Sequence, residues 1–162
     1  MVWHWAHHAR ADCDPWSGPM TEWHLGWQRA VPPERREVVI GPHRADIVTA
    51  SGGVAEIQYS PVSPAVISER EEFYGERMAW IFDATQPGIT VRLSGASGTV
   101  GFRWKYPRWS IGACRRPVLL DLGKGRVLHL PGWACLTGST AVLYTRASIK
   151  GWLRDGTRWE RI

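Results

Sequence analysis

The sequence predicts a mixed α/β (α+β) fold: an αβββαβ core followed by a β-rich C-terminal extension. Three observations carry this prediction. Residues 44–60 alternate apolar and polar around a Ser-Gly-Gly turn, the pattern of a β-hairpin. A helical segment at residues 63–77 separates that hairpin from the apolar run MAWIFDA (78–84), and a helix between two strands permits a parallel crossover. After Thr85 the chain turns Gly-rich, with short β-branched runs.

Each element has its own signals. Residues 1–18 read as irregular. A first helix starts near Ser17 or Pro19, with Ser17 as its cap and Pro19 in its first turn. Trp23, Trp27 and Ala30 recur at helical spacing and face the core, while Glu22 falls on a flank beside that stripe. Pro32 and Pro33 end the helix. REVVIG (36–41) is a β-branched strand, RADIVTA (44–50) and GVAEIQYS (53–60) form the hairpin, and Ser63 with Pro64 starts the second helix. Val66, Ile67, Phe73 and Tyr74 form the apolar face of that helix. The extension holds strands at 89–93, 100–105, 117–122, 126–130 and 140–145, with a Gly-Lys-Gly turn at 123–125 and a short helix at 148–155.

Composition narrows the class. The chain has 162 residues, 44% of them apolar and 22% charged, enough for one core and too apolar for intrinsic disorder. No apolar run approaches the ~20 residues of a membrane span. The first residues lack the basic start and apolar stretch of a secretory signal. Three cysteines, at 13, 114 and 135, make no disulfide framework, so the reducing cytoplasm is the expected compartment. Cys114 and Cys135 read as buried apolar fillers.

The net charge of +5 is uneven: residues 1–80 carry −4 and residues 81–162 carry +9. A basic half attracts a polyanion by releasing its counterions. In GFRWKYPRW (101–109) aromatic residues interleave with Arg103, Lys105 and Arg108, and aromatic faces can stack on bases. These three cations are the expected backbone contacts, with Trp104 or Tyr106 stacking on a base. Such contacts hold DNA without reading its sequence.

The hairpin carries the chemistry. With Ser-Gly-Gly as a three-residue loop, Ala50 pairs with Val54, Val48 lies opposite Glu56 and Asp46 opposite Gln58. Asp46, Glu56 and Gln58 then share one face, with the carboxylates in diagonal contact at roughly 7–8 Å between Cα atoms. Ile47, Thr49, Ala55, Ile57 and Tyr59 take the other face. Two close carboxylates repel, and a hard divalent cation removes that repulsion. The spacing fits equally two solvated acids on an open sheet face.

The run TEWHLGWQ…VVIGPHRADIVTASGGVAEIQYSPVSPAVISEREEFY…MAWIFDA resembles the nuclease core of the competence protein CoiA-like family, which belongs to the PD-(D/E)xK, restriction-endonuclease-like nucleases. The similarity spans residues 19–84 and continues more weakly through FRWKYPR and PVLLDLG. It implies a restriction-endonuclease-like core at 19–85 and a basic, Trp-rich β-extension at 86–162 packed on it. It implies Asp46 and Glu56 as metal-binding carboxylates for Mg²⁺ (or Mn²⁺), with the Ile57 carbonyl as a further ligand. Gln58 stands where many members have Lys, so it orients water rather than supplying charge. Glu22 matches an additional acidic residue of the family. HWAH (4–7) with Cys13 resembles a remnant of a zinc-ribbon-like element. His4, His7 and Cys13 supply three donors where a closed zinc site wants four, so no metal is expected there.

The implied activity is metal-dependent hydrolysis of DNA phosphodiesters, in DNA uptake and recombination or in defence, with recombination or defence proteins as partners. His43, Arg44 and Arg70 are candidate phosphate contacts, and Ser60 a candidate donor to Gln58. A non-catalytic nucleic-acid-binding module and a partner-dependent subunit are the alternatives. RNA in place of DNA fits the same charge and aromatics.

Overall fold

The computed structural model describes residue 16 and residues 20–87, 89–105, 109–130 and 140–156. Its elements follow the predicted order. Helix α1 (Glu22–Gln28) is capped by Thr21, whose hydroxyl accepts from the His24 N–H at 3.2 Å. The expected cap and first-turn residues, Ser17 and Pro19, lie outside the described residues. A 3₁₀ turn at Pro33–Arg35 leads into β1 (Arg36–Ile40), β2 (His43–Val48) and β3 (Val54–Gln58). Helix α2 (Pro64–Tyr74) has Ser63 as its cap and Pro64 in its first turn, as the sequence predicts. Strands β4 (Met78–Asp83), β5 (Val91–Ser94), β6 (Gly98–Trp104), β7 (Val118–Gly123), β8 (Arg126–Leu130) and β9 (Thr140–Thr145) follow, then α3 (Arg146–Asp155).

All nine strands join one sheet, in the order β1-β2-β3-β4-β7-β8-β9-β6-β5. The β3–β4 and β4–β7 pairs are parallel and the others antiparallel. Helix α2 makes the crossover between β3 and β4, because parallel neighbours cannot be joined by a tight turn. The strands after residue 85 thus continue the sheet. The class is α+β, with a mostly antiparallel sheet.

Both faces of the sheet are covered at its centre, so β4 is buried at all six positions. Trp27 of α1 and Ile149 and Leu153 of α3 pack on one face, against Ile47, Ala55, Ile57, Ile81 and Leu119. Ile67 of α2, Ile111 and Cys114 pack on the other, against Trp80, Phe82, Leu120 and Leu128. Cys114 is the buried filler the sequence suggests, and burial pushes its thiol pKa upward, as does Glu71.

Asp121, on β7, is fully buried and ties the first face together. Its Oδ2 accepts from the indole N–H groups of Trp23 (2.8 Å) and Trp27 (3.0 Å), and its Oδ1 from the Gly123 N–H (3.0 Å). The Arg146 guanidinium lies 2.7 Å from Oδ2 and stacks over the Trp27 ring. A buried carboxylate is tolerable because it is paired and hydrogen-bonded in this way.

Three expectations about local packing are corrected. The β2–β3 register is Ile47↔Ala55 and Val48↔Val54, offset by two residues from the expected Ala50↔Val54 register. The reason lies at Thr49, which closes the turn against Gly53: its N–H donates to the Gly53 carbonyl at 2.8 Å and its hydroxyl accepts from the Gly53 N–H at 2.9 Å. The shift brings Asp46 level with Glu56 rather than Gln58, and Asp46 falls outside the paired positions, with Ala45 and Ile47 on either side of it packed on opposite faces. On α2 the buried residues are Ile67, Arg70 and Glu71. Phe73 is 39% exposed because paired charges occupy the inner side instead. Tyr59 lies beyond the end of β3 and is 38% exposed.

Candidate metal centre beside the β2–β3 hairpin

Asp46 is the residue around which the site is built. Beyond the Ile47↔Ala55 pair, the Ile57 N–H donates to the Asp46 side chain, Oδ2, at 2.6 Å. This charge-assisted bond fixes the carboxylate across β3. The other oxygen, Oδ1, faces His24 Nε2 at 3.2 Å.

His24 projects from α1 between the two tryptophans that Asp121 holds. It is 92% buried by its 8% exposure, and its Nε2 is enclosed without a hydrogen-bond partner in good geometry. Glu37, on β1, completes the group, with its carboxylate 3.9 Å from His24 Nε2. Its backbone sits at φ 51°, a left-handed conformation uncommon for this residue type. Gln28 steadies the cluster by donating to Glu37 and, at 3.4 Å, to the Asp46 carbonyl. One donor atom each from His24, Glu37 and Asp46 lies within 4.8 Å of the others.

Electrostatics agree with this geometry. Burial raises the Glu37 pKa, and Asp46 raises it further, against the opposing pulls of Gln28, His24 and Arg44. Carboxylates crowded in this way gain most from a cation. The buried imidazole nitrogen and two carboxylates fit a divalent ion. A hollow of 60 Å³ adjoins the group, lined by Asp46, His24, Ile57, Gln58, Ser60 and Arg70 among others, with room for water.

Glu56 lies beside this group and is held differently from the expectation. It is 2% exposed, and its Oε2 accepts from Arg70 at 2.6 Å. Arg70 also donates to the Trp16 carbonyl at 2.8 Å and lies between the Trp16 and Trp80 rings. Burial, and then Asp46, push the Glu56 carboxyl up to about 8, against the pull of Arg70. Glu56 is therefore an internal partner of Arg70, outside the three-donor group. By the same pairing Arg70 is not a free phosphate contact. The Ile57 N–H serves Asp46, and Gln58 donates to the Ser60 carbonyl at 2.8 Å, reversing the donor role expected of Ser60.

Glu22 stands apart. Its side chain is 81% exposed and pairs with Arg29 at 3.4 Å, one helical flank away from His24. His24 and Glu37 are the residues sequence reasoning missed. His24 was legible as the polar residue between Trp23 and Trp27, whereas Glu37 is brought in by a backbone twist that its sequence does not announce.

The candidate nucleic-acid contacts divide. His43 is half-buried and stacked on Trp16, with rings 3.3 Å apart, while Arg44 is exposed. Arg103 and Lys105 are exposed on and just after β6, as expected. Trp104 is 3% exposed and belongs to the core, because strand alternation turns it inward with Phe102, so it cannot stack on a base. Tyr106, Arg108, Cys135, His4, His7 and Cys13 lie outside the described residues.

No described helix is long and apolar enough to cross a membrane. No family model, curated protein or solved structure matches this chain.

Proposed function

We propose that the chain is a metal-dependent DNA nuclease with a restriction-endonuclease-like core, its cation held by His24, Glu37 and Asp46. The observation that carries this reading is the convergence of those three donors around a buried His24 nitrogen that faces the Asp46 carboxylate without a well-formed hydrogen bond. An imidazole ligand suits Mn²⁺ better than Mg²⁺, which prefers an all-oxygen shell. A divalent cation supplies charge neutralisation at a phosphodiester and makes water a better nucleophile.

The chain's own groups do the rest. Ile57 and Gln28 hold Asp46 and Glu37 in place. Gln58, its amide N–H₂ donating to the Ser60 carbonyl, retains its side-chain oxygen to accept a hydrogen bond from water and so orient it. Arg70 keeps a fixed positive charge at the wall of the hollow. Arg44, Arg103 and Lys105 supply exposed cations for the phosphate backbone. The cellular setting that fits is handling of incoming or foreign DNA.

One observation favours a second reading, a nucleic-acid-binding module without turnover. Glu56, the carboxylate the resemblance assigns to the metal, is tied to Arg70. The deciding experiment incubates the purified protein with linear and circular, single- and double-stranded DNA in Mn²⁺, Mg²⁺ or EDTA, alongside Asp46→Ala and His24→Ala. Cleavage in Mn²⁺ that both variants lose is the expected result. DNA binding without cleavage under every condition refutes the stand-alone enzyme and leaves the module or a partner-dependent subunit.

A further inference from the structure

Two arginines face each other at the far end of the sheet. Arg92 on β5 and Arg103 on β6 are directly paired across the antiparallel ladder. Directly opposed residues share a face, with Cβ atoms roughly 4.5–5.5 Å apart, and like charges so placed are destabilising. Both side chains are exposed. Among the described residues neither has an acid within ion-pair distance. The inward residues of the same strands, Leu93, Phe102 and Trp104, pack in or against the core, so the arginines are fixed on the outer face.

The surface between them is shaped. A hollow of 420 Å³ lies over this face, bounded by Arg92, Arg103, Ser94, Gly101 and Thr140 together with Leu93 and Phe102. Gly101 pairs with Ser94 on one side and Thr140 on the other. A Cβ at position 101 would fall 2.4 Å from the Ser94 hydroxyl oxygen, so a side chain there would fill the hollow. Two guanidinium groups, two hydroxyls and a glycine floor form a cradle whose chemistry suits phosphate oxygens.

We propose that Arg92 and Arg103, with Ser94 and Thr140, clamp the phosphodiester backbone of a nucleic-acid strand away from the His24–Asp46 cluster. This rests on the nucleic-acid reading, which already counts Arg103 among its exposed cations, and extends it to Arg92, Ser94 and Thr140. The strand order separates β3 from β6 by five inter-strand spacings, or about 24 Å across the sheet. At about 3.4 Å per nucleotide, a strand touching both places spans roughly seven nucleotides.

The test is the salt dependence of binding, measured in EDTA so that turnover plays no part. Anisotropy of a labelled 20-nucleotide single strand is recorded between about 50 and 200 mM KCl. The proteins are the unaltered chain, Arg92→Gln/Arg103→Gln, and Lys124→Gln/Arg154→Gln as a control losing equal charge elsewhere. Loss of two phosphate contacts lowers the slope of log K against log salt by about 1.4. The control keeps its slope, and the Arg pair variant melts no lower than the parent because a like-charge contact is relieved. An unchanged slope, an equal fall in the control, or absence of binding overturns the clamp. A reduced slope in a protein that cleaves nothing retains the clamp and removes the nuclease reading alone.

Discussion

The Arg70–Glu56 pair makes a quantitative prediction that depends on pH. Arg70→Met keeps a long apolar stem but removes the guanidinium that donates to Glu56 at 2.6 Å and to the Trp16 carbonyl at 2.8 Å. Glu56 then stays 2% exposed without a counter-ion. When it is ionised, stranding that charge costs about 3–5 kcal/mol. When it is protonated, only hydrogen bonds from a charged donor are lost, about 1.5–3 kcal/mol. The folded carboxyl, raised from 4.5 to about 8, decides which case applies. Its contribution to stability is fully present below pH 4.5 and is lost as pH rises through about 8. Without Arg70 the folded value rises further, so the variant goes on losing stability above the pH at which the parent levels off. The cost of Arg70→Met therefore grows between pH 6 and pH 9. Urea unfolding in EDTA, followed by the fluorescence of the 11 tryptophans, measures it. In a Glu56→Gln background, which cannot titrate, the cost is the same at both pH values. An equal cost at both pH values in the Glu56 parent, or a pH dependence surviving in the Gln background, refutes the reasoning.

Three further predictions concern the metal, the core and a turn. His24→Ala weakens binding of Mn²⁺ more than of Mg²⁺ by calorimetry, because it deletes the nitrogen donor, and equal losses would remove His24 from the ligand set. Trp104→Ala costs about 3–5 kcal/mol in urea unfolding while leaving DNA affinity unchanged, since the ring is core rather than stacking platform. Gly156→Ala lowers the melting temperature, at a cost of at least about 1 kcal/mol, because the helix ends there at φ 69° and a Cβ would sit 2.6 Å from the Ser51 nitrogen.

Much of this architecture is written locally. The Ser63-Pro64 start of α2, the Gly-Lys-Gly turn between β7 and β8, and the bounds of β8 and β9 follow from capping, turn and alternation rules that act within a few residues. Asp46 and Glu56 were legible as neighbouring acids of one hairpin, but their partners were not: Asp46 meets His24 of α1 and Glu56 meets Arg70 of α2, helices on opposite faces of the sheet. The register of the hairpin was not legible either, since it depends on the Thr49 hydroxyl choosing the Gly53 N–H. The inner side of α2 was misread for a related reason. Arg70 and Glu71 are buried by partners on other elements: Glu56, the Trp80 indole and the N–H groups of Arg115 and Arg116. No periodicity marks a charge whose counterpart is distant in sequence. Trp104 is the opposite case, because the alternation that turns Phe102 and Trp104 inward was already visible between Arg103 and Lys105.

The position of β9 has a consequence for how the chain is assembled. It lies between β8 and β6, so among the described residues it is the strand that joins the β5–β6 hairpin to the rest of the sheet. β6 ends at Trp104, whereas its partner strand begins only at Thr140. During synthesis the hairpin is made well before the edge that receives it exists. Until residue 145 has emerged, β6 exposes an unpaired edge, the kind of surface that seeks another chain. Pairing at such sequence separation also slows closure of the sheet. A chain ending before β9 would therefore retain β1 to β4, β7 and β8 as a sheet with a bare margin and hold β5–β6 through the core packing of Val100, Phe102 and Trp104, without a strand to join it.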